Sequence, residues 1–467
     1  MNRKRMVLVG LSLAMCLCTS LALAAVDPAL LKARQKFFGI ENVDVNTGAI
    51  KKDKVITSWA TNTTYVTSIL GHVVLLDSYI SRPELPTGTL QDRYAPFLPQ
   101  DLIDLRPEAI FLGHGHFDHA DNAAYIAKWT GAPIYASAET CDAMQADVAK
   151  MAADPNPQNG GAPVIPDASP VNCINVVEHA TFPGEYDPTT GKSRVRKLPL
   201  PASLDSLVCV LAFKHIHSGT APVDPSFTHA TLSDLADPRY AGRVITTPTP
   251  AVTYPAMYPT GTPYAPPSNV ALRVPGQLNT SSTGGIGGPY VMFYNFILRS
   301  GYNFTLSWVN SSGPAKEGIG ADPGLVTLAQ YNNPATPQAT LDLAKAIGAA
   351  QYALMDTLPS PDVFLGSIVS LGAAANQERD IVTVIQHLRP KVYIPGHITD
   401  VAQKGSAIYH RMAWRETALN MGFPQSQWPE FKLLIDPNDF AVPQVYTPGD
   451  PRWFDATKSA RVAQFCN

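Results

Sequence analysis

Several things this chain lacks narrow what it can be. It has no surplus of positive charge: 35 lysines and arginines stand against 38 aspartates and glutamates, and Arg3, Lys4 and Arg5 all fall in a leader-like start. That balance offers no electrostatic footprint for nucleic acid or an anionic membrane. Beyond the first 24 residues no apolar run is long enough to cross a bilayer. There is no internal repeat and no flavin or dinucleotide motif. Histidine is scarce, 11 in 467 residues, so any clustering of it carries information.

Residues 1–24 read as an export signal. A basic start is followed by the apolar stretch Met6 to Leu21 and by Ala22-Leu23-Ala24, a small-residue cleavage pattern. A membrane anchor is the competing reading, but no basic stop-transfer flank follows. The expected location is therefore periplasmic or secreted. A lipid-modified cysteine at Cys16 or Cys18 is the lesser alternative, because Met15 and Leu17 are larger than such processing usually accepts.

Of the 6 cysteines, Cys141, Cys173, Cys209 and Cys466 lie beyond that leader, and an exported chain can oxidise them. Cys141 and Cys173 flank one Pro/Gly-rich loop and are the expected pair. Cys209, inside the apolar run Leu207 to Phe213, reads as a small buried side chain. The remaining ~440 residues exceed a usual single core, so large insertions or a second lobe are expected.

What the chain does have is a concentration of metal-binding side chains. Arg106 to Asn122, RPEAIFLGHGHFDHADN, places His114, His116, Asp118 and His119 within six residues. Ala109 to Leu112 reads as a buried strand and Ala120 to Trp129 as the start of a helix, so these side chains sit on a strand-to-helix turn. In a nearly extended segment, residues two apart point the same way, so His114 and His116 can clasp one ion. As the chain turns into the helix, Asp118 and His119 can face a second ion. A polar loop that happens to be histidine-rich is the plain alternative.

HGHFDH matches the HxHxDH signature of the metallo-β-lactamase superfamily, and the chain resembles that family around it. Ser58 to Ser78 looks like the family's opening strands, Thr130 to Ser137 like the strand after the motif helix, and Pro390 to Asp400 like the strand and loop with the last metal histidine. The resemblance covers residues 55–140 and 205–217 well, and 290–400 less closely. It implies an α/β fold, a four-layer αββα sandwich, here with large loop insertions. The expected layout is a signal peptide at 1–24, an N-terminal extension at 25–54, a catalytic domain at 55–405 and a C-terminal extension at 406–467.

The same resemblance extends the ligand set. His215 and His217 end the strand Leu207 to Phe213 two residues apart, and both could point to the site. The family order implies a third ligand for the first metal here; His217 is favoured and His215 is a supporting or substitute ligand. His397, after a Pro-Gly turn, matches the last metal histidine. Asp77, at the end of the strand Val73 to Leu76, is either an acid supporting the site or a turn or capping residue. Where many family members carry a metal-bridging acid, this chain has Asn310, whose amide oxygen can coordinate but brings no charge. His72, beside a turn glycine, reads as exposed. The proline-rich stretch 220–289, with Tyr240, Tyr254, Tyr258 and Tyr264, is expected to cover the cleft or to be a peripheral decoration.

Together these residues imply one ion on His114, His116 and His217 and another on Asp118, His119 and His397. Zn2+ suits such imidazole-rich, thiolate-free sites, in one or two copies, with iron or manganese as open alternatives. The implied activity is hydrolysis of an ester, lactone, amide or phosphoester of a small molecule, with Asp118 orienting the attacking hydroxide. Two other readings stand beside it: an iron-dependent oxidoreductase on the same fold, and a non-catalytic metal- or ligand-binding protein. Nothing in the sequence specifies the oligomeric state.

Overall fold

The computed structural model describes residues 26–80, 97, 99–153, 165–176, 186–187, 191–219, 222, 224, 290–299, 301, 304–320, 324–367, 377–397, 406–434 and 439–466. The leader, almost all of the 220–289 insert and Asp400 lie outside these residues.

From Val55 the sequence alternates β-branched and aromatic residues with small polar ones, and three strands result: β1 (Val55–Thr61), β2 (Thr64–Ile69) and β3 (His72–Leu76). Leu70-Gly71 forms the expected hairpin turn, both residues at positive φ (52° and 95°) as a tight two-residue loop requires. A second turn, not anticipated, splits the segment at Asn62-Thr63, with Asn62 at φ 50°. Then come β4 (Ala109–Phe111), β5 (Ile134–Ala136), β6 (Cys173–Asn175), a small ribbon of β7 (Tyr186–Asp187) and β8 (Lys192–Ser193), and β9 (Arg196–Lys197). The long strands β10 (Val208–His215) and β11 (Val291–Leu298) precede β12 (Thr305–Trp308), β13 (Val363–Ser367) and β14 (Val392–Gly396). The short strands β15 (Glu430–Phe431) and β16 (Gln444–Tyr446) complete the set.

Two seven-stranded sheets form, in the orders β16-β1-β2-β3-β4-β5-β6 and β15-β14-β13-β12-β11-β10-β9. Alternation along the strands decides what each face meets. Val74, Leu76, Ala109 and Phe111 join Val210, Ala212, Met292 and Tyr294 in one cluster between the sheets. Their neighbours Val73, Leu75, Ile110 and Leu112 face the helices of the first sheet, among them Ala123–Thr130. Leu211, Phe213, Phe293 and Phe364 face the helices of the second. Among those helices are Gln338–Thr357 and Gln377–Leu388, the crossovers flanking β13. Three apolar layers between four structural layers make this an αββα sandwich, the expected fold.

The sheets are joined by aromatic packing close to the motif. The Phe111 ring centroid lies 4.8 Å from Tyr135, 5.4 Å from Tyr294 and 4.9 Å from Phe296; each such pair is worth ~1 kcal/mol beyond area burial. The Tyr294 hydroxyl donates to the Leu112 carbonyl at 2.9 Å, bridging from the second sheet to the strand that leads into HGHFDH.

The C-terminal extension joins both sheets. It supplies β15 to the second sheet and β16 to the first, and ends in the helix Ala456–Cys466. Cys466 is disulfide-bonded to Cys209, which corrects the expectation of Cys209 as a lone buried thiol. Its strand position points Cys209 toward the outer helix layer, where the last helix packs. The Cys141–Cys173 pair forms as expected, joining the helix Ala138–Ala152 to β6.

Candidate metal centre

Parallel strands β3 to β6 and β12 to β14 deliver loops at their C-terminal ends, where open α/β sheets build sites. After β4 the chain passes through His114 and His116 and at once enters the short helix Phe117–Ala120. His119 N–H and Ala120 N–H both bond the His116 carbonyl, at 3.1 and 2.9 Å, so the turn is closed directly beneath the ligands.

Two groups result. The coordinating atoms of His114, His116 and His217 lie within 4.8 Å of one another, and so do those of Asp118, His119 and His397. The groups adjoin: the His114 and His119 rings are 4.1 Å apart. Asp118 Oδ2 lies 3.6 Å from His119 Nε2 and 3.4 Å from His397 Nε2. His217 stands just beyond the end of β10, and its carbonyl is so close to Gly313 that a Cβ there would fall 2.0 Å from the oxygen. His397 follows β14 at φ 64°, a left-handed conformation that a non-glycine residue takes only under constraint. The constraint is its N–H bond to the Asn62 carbonyl at 3.0 Å.

His215 does not join either group. It continues the odd-numbered face of β10, with Leu211 and Phe213, and so points to the outer helices, where its Nδ1 meets Gln351 Oε1 at 3.2 Å. The two-residue spacing to His217 fails as a guide because the strand ends at His215. Asn310 stands beside His114. Its Oδ1 lies 2.9 Å from His114 Nδ1 and its Nδ2 3.0 and 3.2 Å from the two Asp77 oxygens, so both ends of the amide are taken. Asp77 is fully buried and accepts from the Thr63 hydroxyl at 2.7 Å, from Gly113 N–H at 3.1 Å and from His119 Nδ1 at 2.8 Å. It supports the site and does not cap a helix. His72 is only partly exposed, paired with Glu108 Oε1 at 2.8 Å.

Asn62 and Thr63 are the functional residues the sequence reading passed over. Asn62 Nδ2 donates to the Asp118 carbonyl at 2.6 Å and to Asp118 Oδ2 at 3.2 Å. The available signal was Asn-Thr interrupting a strand pattern, a turn residue where no turn had been assigned.

Burial governs the protonation of the centre. It holds His114 and His217 well below the ordinary imidazole range, helped by neighbouring imidazoles, and pushes His116 and His397 down to about 4 against the pull of Asp118. His119 differs: burial pulls it down, but Asp118 and Asp77 lift it above the ordinary value. Burial would raise Asp118, yet His119, His397 and His116 hold it down at about 2. Four neutral imidazoles and an ionised carboxylate at neutral pH are states that suit metal coordination, and His119, shifted the other way, would have to give up a proton to join them. Moreover, among the described residues Nε2 of His114 and of His119 is buried with no hydrogen-bond partner. A buried polar atom without a partner is costly, and a cation in each group would satisfy the one it contains. The residues fit divalent metal ions.

Residues 87–204 match the model of the metallo-beta-lactamase superfamily. That stretch, about a quarter of the chain, resembles the superfamily. A metal-dependent hydrolase of Pyrobaculum neutrophilum is 33% identical over 81 residues, 17% of this chain and 32% of its own length. One from Myxococcus xanthus is 36% identical over 84 residues, 18% of this chain and 26% of its own. The chain thus spans about a third or less of the curated relatives it matches. Among solved structures, the metallo hydrolase Igni18 of Ignicoccus hospitalis aligns over 84% of this chain and 98% of its own at 12% identity. Its TM-score is 0.37, too low to argue from.

Proposed function

We propose that this chain is a metal-dependent hydrolase of the metallo-beta-lactamase superfamily whose two ligand groups would hold divalent cations, His114, His116 and His217 one, and Asp118, His119 and His397 the other. The observation that carries the reading is the pair of three-residue groups with the partnerless Nε2 atoms of His114 and His119 inside them. A divalent cation held by these residues would supply Lewis acidity, to activate water near neutral pH and to polarise a substrate oxygen. Asp118, ionised throughout the physiological range, orients the attacking water through a carboxylate oxygen. Asn62 keeps that carboxylate from turning away. The neutral imidazoles of His116, His217 and His397 present lone pairs without repelling a cation.

The substrate is a small molecule with an ester, lactone, amide or phosphoester bond. Zinc is the favoured metal on its donor set of imidazole and carboxylate. Export is part of the same proposal: residues 1–24 read as a signal, and the two disulfides suit an oxidising compartment. Metal analysis of the purified chain by mass spectrometry, with turnover on lactones, β-lactams, phosphodiesters and sulfate esters, tests it. At least one equivalent of bound transition metal and metal-dependent turnover are expected; a chain that binds none, or keeps full turnover as His116→Ala, sinks the reading.

A further inference from the structure

Resting on the metal reading, we propose that Asn310 is a positioning residue that ties the two ligand groups to one buried carboxylate, and is not itself a ligand. A carboxylate only accepts, so the end of the Asn310 side chain facing both Asp77 oxygens, at 3.0 and 3.2 Å, is its NH2 group. The amide oxygen is thereby turned to His114 Nδ1 at 2.9 Å, and because that oxygen only accepts, Nδ1 carries the proton. His114 Nε2 is left with its lone pair facing His116 and His217.

On its other side Asp77 Oδ2 accepts from His119 Nδ1 at 2.8 Å, which leaves His119 Nε2 facing Asp118 and His397. One carboxylate therefore sets the tautomer of one imidazole in each group, directly for His119 and through Asn310 for His114. The intermediary must donate at one end and accept at the other, which an amide does and a carboxylate does not. An ionised aspartate at 310 would put like charges 3.0 to 3.2 Å apart in a fully buried place. Gly113 completes the arrangement: a Cβ there would come within 2.1 Å of the Asn310 carboxamide carbon, so the glycine before His114 is the room this amide occupies.

The test uses the full chain, Asn310→Ala and Asn310→Asp, with folding checked by circular dichroism. Zn2+ affinity is measured against a competing chelator, and histidine tautomers are read from 1H–15N spectra of the metal-free proteins. Wild type is expected to carry the His114 proton on Nδ1. Both variants are expected to bind Zn2+ about 10–100-fold more weakly. In Asn310→Ala the His114 tautomer becomes mixed, whereas in Asn310→Asp, whose carboxylate still accepts from Nδ1, it is retained; His215, bonded to Gln351, is unchanged in both. Tighter binding by Asn310→Asp would make residue 310 a ligand and overturn the proposal, as would unchanged affinity and tautomer in Asn310→Ala. Should wild type bind no Zn2+, the metal reading fails and the His114 tautomer alone decides the role of Asn310. If Asn310→Ala does not fold, Asn310→Asp and the wild-type spectrum decide it; a wild-type His114 protonated on Nε2 overturns the proposal.

Discussion

The first sheet sends four of the six candidate ligands to the site from a single turn, His114, His116, Asp118 and His119, whereas the second sends His217 and His397 from loops far apart in sequence. The first half is closed by a local disulfide, Cys141–Cys173, with a sequence separation of 32; the second by Cys209–Cys466, with a separation of 257. One half is thus specified by short-range geometry and the other by long-range packing. Each ligand group nevertheless draws two residues from the first half and one from the second, so neither group exists until the sheets have docked.

That contrast can be broken at its strongest point first. Replacing Cys209 and Cys466 by serine should destabilise the protein more than replacing Cys141 and Cys173, by about 2 kcal/mol if disulfides act mainly on unfolded-chain entropy. Urea unfolding of the two double variants measures the difference, and equal midpoints would mean that the C-terminal helix docks without help. Next in size are the ligand substitutions. His116→Ala and His397→Ala should each lose at least about 100-fold in turnover, and each should lose a different ion. Metal-to-protein ratios on the two variants and their combination read this; if either single variant releases both ions, the groups are not separate sites.

A smaller effect is expected at the turn that joins the halves. Asn62→Ala removes the side-chain bonds to Asp118 while leaving the backbone bond to His397, and should cost about tenfold in turnover with little change in unfolding midpoint. Unaltered kinetics would reduce Asn62 to a turn residue. The smallest effect near neutrality is on acid stability. His114, His116, His217 and His397 have folded-state pKa values below the ordinary 6.5, so the unfolded chain binds more protons as pH falls. His119, shifted upward, has the opposite sign but is one group against four. Metal-free protein should therefore lose stability as pH drops from 6.5 toward 4. Urea midpoints across that range check the sign, and stability that rises on acidification would contradict the burial of these imidazoles.

Much of the architecture was legible because it is local. The strand Ala109–Phe111 and the helix Ala123–Thr130 follow from the apolar runs read at Ala109 to Leu112 and Ala120 to Trp129. Where the reading failed, the deciding contact was remote. His215 and His217 are indistinguishable by spacing, and only the end of β10 against Gln351 separates them. Cys209 looks like any small core residue until a helix 257 positions later packs beside it.

What the sequence by itself determined is the chemistry on offer: three imidazoles and a carboxylate held on one strand-to-helix turn, with the apolar alternation that buries a sandwich around them. Tertiary structure alone decided how those side chains are used. It brought His217 and His397 across from the second sheet, set Asn310 between Asp77 and His114, and raised Asn62 and Thr63 from strand filler to neighbours of the candidate ligands. The physical reason is that periodicity and turn chemistry act over a few residues. Burial and hydrogen-bond satisfaction are settled only when both sheets close on the same small volume.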